Sequence, residues 1–179
     1  LTMTGVIAPV EAYAADVNVT TNTNRVDLDA KSGATADIAA GVTVKNDQPT
    51  ATVGTVQALT SAWTVTNNGA IDGRLDDALK TNDGIKLGKG GTVVNSSTGT
   101  ITGFYGVYTA SGGGGVTNTG GVNGFLRGVE MQGGGTVINN AGATLKGNNG
   151  GVNIFGTAVG VTNGVTNSGA VDGGTADGG

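Results

Sequence analysis

The sequence predicts an all-β chain wound as one right-handed parallel β-helix, a single-stranded solenoid of about five to six rungs. Three observations predict it. Glycine supplies 36 of the 179 residues, against an ordinary share of roughly 7%. A V-x-N signature returns at near-regular spacing, and short runs alternate apolar with polar residues. The net charge of −4 opposes compaction only weakly. With so few bulky side chains, a thin and regular architecture suits this chain better than a thick globular core.

The signature appears at Val65-Thr66-Asn67, Val93-Val94-Asn95, Val116-Thr117-Asn118, Val137-Ile138-Asn139 and Val165-Thr166-Asn167. Successive Asn residues are 28, 23, 21 and 28 positions apart. After each Asn comes a polar stretch, then an aliphatic residue two before a Gly: Ile71 and Gly73, Ile101 and Gly103, Val122 and Gly124, Leu145 and Gly147, Val171 and Gly173. The Asn-to-Gly interval is always 6 or 8, and a difference of two keeps each strand residue on its own face. The residues before the closing Gly, namely Asp72, Thr102, Asn123, Lys146 and Asp172, vary in type. Conserved-type columns therefore point inward and variable ones outward.

A second strand follows in four units, at Gly84-Ile85-Lys86-Leu87, Gly106-Val107-Tyr108-Thr109, Gly128-Val129-Glu130-Met131 and Gly151-Val152-Asn153-Ile154. Runs this short with period two are strands, not helices. Glycine-rich corners between units permit the bends other residues resist. Hairpins would not give columns of like residues at one period, whereas stacked windings would. Crossover chirality favours a right-handed coil. In such a stack Asn67, Asn95, Asn118, Asn139 and Asn167 form an internal amide ladder, with each carbonyl accepting from the amide of the next rung.

Residues 64–179 are expected to carry the regular rungs, and their Gly178-Gly179 end reads as a truncation or the start of a longer array. Residues 15–63 are less regular and are expected to cap the solenoid with irregular first rungs, Trp63 standing near their end. Residues 1–14 close on Ala12-Tyr13-Ala14, an A-x-A pattern that reads as the tail of a signal peptide cut before Ala15. Export is the expectation that follows.

With no His and no Cys, the chain has no Ser-His-Asp triad, thiolate nucleophile, disulfide or His-ligated metal. Nine basic against 13 acidic residues argue against nucleic acid as a partner. No cofactor or metal is expected. The insert RLDDALKTND at 74–83, with Asp76, Asp77 and Asp83, reads as a solvated charged loop rather than a calcium site or catalytic pair, because no facing acidic cluster is visible downstream. The Thr-x-Thr runs at 64–66 and 100–102 do not extend into a flat two-column Thr face. Phe104 with Tyr105, and Phe125 with Leu126, follow the closing Gly of adjacent units and are expected to gather at a corner, where they offer a surface contact for a sugar or partner chain.

The pattern V-T-N-x-G-x-I-x-G, followed by G-V-x-x and a glycine run, resembles the passenger domains of Gram-negative autotransporters, the type V secreted adhesins. TVTNNGAIDG at 64–73, TVVNSSTGTITG at 92–103 and VTNSGAVDG at 165–173 carry the likeness. The resemblance implies secretion, display at the outer surface of the cell, and a non-enzymatic role in adhesion, aggregation or as a stalk. It implies host-cell, neighbouring-cell, glycan or self partners, and a membrane contact only through a C-terminal barrel outside this sequence. A polysaccharide-acting β-helix enzyme, or a tailspike-like glycan-binding module, is the alternative.

Overall fold

The computed structural model describes residues 16–47, 53–73, 82–156 and 159–174. The expected signal-peptide remnant, Asp76, Asp77 and Gly178-Gly179 lie outside them. The described residues form strands and one 3-10 turn, Leu28–Ala30, with no α-helix among them. Local sequence explains the choice. Trp63–Asn67 reads W-T-V-T-N, with Trp63, Val65 and Asn67 buried and the two threonines half-buried between them. β-Branched residues at period two fit a pleated surface with one dry face.

The strands pair in parallel, in three ladders. The first is seven strands deep: Val17–Val19, Thr35–Ile38, Trp63–Asn67, Gly91–Asn95, Gly114–Asn118, Thr136–Asn139 and Gly164–Asn167. The second contains Thr23–Asn24, Thr43–Lys45 and Ala70–Asp72, the opening halves of Thr100–Thr109 and Gly121–Met131, then Thr144–Gly147 and Ala170–Asp172. The third contains Val26–Asp27, Gly54–Ala58 and Asp83–Leu87, the closing halves of the two long strands, and Val152–Ile154. The chain visits first, second and third ladder in turn, then returns to the first one strand further along. Hydrogen bonding joins the second and third ladders into one 11-stranded sheet through the two long strands, which bend from one ladder into the other. At that bend the register shifts between Gly103 and Tyr105, so Gly121–Met131 has one residue more than its partner.

Like residues lie opposite one another. Val93 pairs with both Val65 and Val116, Ile101 with Ile71 and Val122, and Val107 with Ile85 and Val129. All nine of these residues and their column-mates Val137 and Leu145 are at most 1% exposed. Burying each such side chain contributes about 1.5–3 kcal/mol, and together with Leu28, Trp63, Leu87 and Met131 they make one continuous core.

The structure adds two details to the reading of the first rungs. The first ladder runs deeper than the five V-x-N signatures, because Val17–Val19 and Thr35–Ile38 pair in register with it. Ile38 stands opposite Asn67 and Val19 opposite Ile38, so neither strand places an Asn in the asparagine column. Trp63 does not lie in a cap but opens a core strand, 2% exposed, its indole Nε1 donating to Ser61 Oγ at 3.1 Å.

Candidate functional site

The outward column of the third ladder concentrates the chemistry. Lys86, Tyr108, Glu130 and Asn153 are register partners on successive strands. Side chains alternate across a strand, so these project away from the core column Ile85, Val107, Val129 and Val152. The bend from the second ladder adds Phe104, Tyr105, Phe125 and Arg127, with Tyr105 opposite Arg127. Phe104 and Phe125, expected together at a corner, sit within continuous strands that turn there.

Rings and charges interlock. Tyr105 and Tyr108 stack at 5.3 Å between centroids, Phe104 meets Tyr105 edge-on at 5.0 Å, and Phe104 lies 6.0 Å from Phe125. Lys86 Nζ sits 5.3 Å from the Tyr108 ring centre and 3.6 Å from Asp83 Oδ2. Arg127 Nη1 donates to Glu130 Oε2 at 2.8 Å, and Asn153 Nδ2 donates to the same oxygen at 3.0 Å. Tyr108 Oη donates to Gln132 Oε1 at 2.9 Å, and the Tyr105 backbone N–H donates to Asp83 Oδ1 at 3.3 Å.

Asp83 was expected in a solvated loop. It belongs instead to the strand Asp83–Leu87 and is 1% exposed. Burial pushes its carboxyl from the ordinary 3.8 up to about 6, against the opposing pull of Lys86. Burial also raises both tyrosines, helped by the negative charges of Glu130 and Asp83. Sequence reading missed Glu130, which lies 47 positions from Asp83 yet also faces Tyr105. The signal was its position two before Gln132 in the G-V-x-x column, next to Arg127 at i−3.

The five asparagines form a second arrangement, a column whose first four members are buried and whose last, Asn167, is exposed. Asn67 Nδ2 donates to Asn95 Oδ1 at 2.8 Å, Asn95 to Asn118 at 2.8 Å, Asn118 to Asn139 at 2.9 Å and Asn139 to Asn167 at 2.8 Å. The direction is opposite to the expected one: each carbonyl accepts from the preceding unit. Each of the first four amides also reaches a backbone carbonyl on the next unit's second strand, such as Thr100 O for Asn67 and Thr144 O for Asn118. Their neutral, fully engaged amides leave nothing to hold a ligand.

The grooves on the described surface are open. One, lined by Gly91, Thr92, Gly113, Gly135, Thr136 and Val161, encloses about 550 Å³ and bears no charged side chain. Among the described residues no group of three His, Cys, Asp or Glu is placed to hold a metal ion. Compared with family models, with curated proteins and with solved structures, the chain matches none of them.

Proposed function

We propose that the chain is a right-handed parallel β-helix acting as a non-enzymatic, surface-displayed passenger segment of an autotransporter-like protein, a stalk that carries adhesive surface. The observation that carries this reading is the threefold ladder visited in constant order, with like residues opposite one another and an internal asparagine column. Such a stack is stabilised unit by unit through nearest neighbours. It therefore suits a chain that folds progressively after export, without disulfides or metal. The resemblance at 64–73, 92–103 and 165–173 supports the secretion route. Protease treatment of intact cells expressing the full gene product tests it: fragments from 64–173 should be released from outside. Retention of this segment within the envelope would overturn the reading.

The alternative, a polysaccharide-acting enzyme on the same scaffold, gains one specific observation: Asp83 accepts from the Tyr105 N–H beside Lys86, and Glu130 is paired with Arg127, the register partner of Tyr105. Incubation with acidic and neutral polysaccharides, followed by measurement of chain length, separates the two. Shortening that Asp83→Asn abolishes would favour the enzyme.

A further inference from the structure

The geometry points to a binding site for neutral glycans on the outer flank where the second ladder bends into the third, with Tyr105, Tyr108, Phe104 and Phe125 as its platform. This deepens the adhesive reading and rests on it for its biological sense. One Trp, three Tyr and three Phe are all the aromatics the chain has. Four of them meet here in one ring network, and none of the four belongs to the core. A solenoid that fills its interior with Val and Ile has no packing need for these rings. Phe125 is 36% exposed and the other three are half-buried, so the strip keeps apolar faces in water.

The surroundings select the ligand. Each nearby cation is already matched by an acid on the same flank, Lys86 by Asp83 and Arg127 by Glu130. An anionic ligand would have to displace a carboxylate. What remains for recognition is flat ring surface bordered by neutral hydrogen-bonding groups: the Tyr108 hydroxyl and the Gln132 amide, joined at 2.9 Å, with the Asn153 amide, held to Glu130, two strands on from Tyr108. A pyranose matches that pattern, with a C–H face to lie on a ring and hydroxyl edges for amides and phenols. Aromatic side chains with one apolar face and one polar handle are suited to such half-wet contacts. Three of the rings lie on one strand, Thr100–Thr109, and Phe125 lies on the next, Gly121–Met131, so an oligosaccharide lying along the first strand would meet Tyr108, Tyr105 and Phe104, with Phe125 beside them.

The test uses the full chain and defined probes: neutral hexose and N-acetylhexosamine oligosaccharides, an oligouronate, and calorimetric titration. Neutral oligosaccharides should bind. Tyr108→Ala should weaken them about tenfold or more, the equivalent of roughly 1.4 kcal/mol, while Tyr108→Phe, which keeps the ring, should stay within about threefold. Ile138→Ala, on the first ladder, should change nothing, and circular dichroism should show every variant folded. Absence of neutral-glycan binding, preference for the oligouronate, or unchanged affinity in Tyr108→Ala would each overturn the site. Adhesion of chain-coated beads to cells separates the two readings. Adhesion that survives removal of cell-surface glycans points to a protein partner, overturning the site while leaving the adhesive role. Glycan binding in solution without bead adhesion does the reverse.

Discussion

The side-chain amide of Asn95 donates to the carbonyl of Asn118 at 2.8 Å, and both groups are wholly buried. Asn118 in turn donates to Asn139 at 2.9 Å, so its loss strands a donor on one side and an acceptor on the other. Asn118→Ala should therefore cost about 2–4 kcal/mol in denaturant unfolding. Asn167→Ala, at an exposed position, should cost less than about 1 kcal/mol because water replaces the lost partner. Equal costs would remove the ladder's energetic role.

Register can be tested covalently, since the chain has no cysteine of its own. Thr66 and Val94 are direct partners, and adjacent strands lie about 4.8 Å apart, inside the roughly 4.4–6.8 Å a disulfide spans. The double variant Thr66→Cys with Val94→Cys should cross-link quantitatively under mild oxidation. Thr66→Cys with Thr117→Cys, two strands apart, should stay reduced. Cross-linking of the second pair would mean a different stacking order, and mass spectrometry of the digests reads the result.

Asp83 makes stability depend on pH in an unusual direction for a carboxylate. Its folded pKa of about 6 exceeds the ordinary 3.8, so between those values the folded state holds more protons than the unfolded one. Stability then falls as pH rises through this window. The loss is on the order of 2–3 kcal/mol, at 1.36 kcal/mol for each unit of pKa. Thermal melts of Asp83→Asn should be flatter than wild type between pH 4 and 6 and higher at pH 8. A wild-type protein that gains stability across that interval relative to the variant would reverse the assignment.

Two glycines should respond oppositely to substitution. A Cβ at Gly120 would run into the carbonyls of Gly99 and Ser96, whereas one at Gly115 would meet nothing closer than 3.9 Å. Gly115 sits between Thr92 and Thr136 on the outward face, where a β-branched residue is favoured. Gly115→Thr should hold or raise the melting temperature. Gly120→Ala should lower stability by roughly 1–3 kcal/mol or more, as overpacking against backbone does.

The sequence exposes what repeats and hides what does not. Asn67, Asn95, Asn118 and Asn139 are register partners in the order their signatures suggest, because each closes the same V-x-N strand and the glycine-rich corners absorb the differences in spacing. The direction of the amide ladder was illegible, since an amide can face either way and the bend that orients it is set by Gly69 and Thr100 on separate units. Val19 and Ile38 hide the early strands by placing aliphatics in the asparagine column. Burial of Asp83 was hidden too: RLDDALKTND carries five charged residues in ten, and what covers its last residue, the Gly54–Ala58 strand, Tyr105 and Lys86, comes together only in the fold. The aromatic platform was half visible, because Phe104 and Phe125 both follow the closing Gly of their units and Tyr105 follows Phe104, while Tyr108 joins them only through stacking.

Trp63 is the only tryptophan, and it is enclosed in the third strand of the first ladder. Its emission is therefore a local reporter at a known height, whereas a dichroism signal sums over every winding. In a filament whose units hold chiefly to their neighbours, melting can begin at one extremity and travel. The two optical signals then register different moments of one journey, and the order in which they fade tells from which side the zip opens.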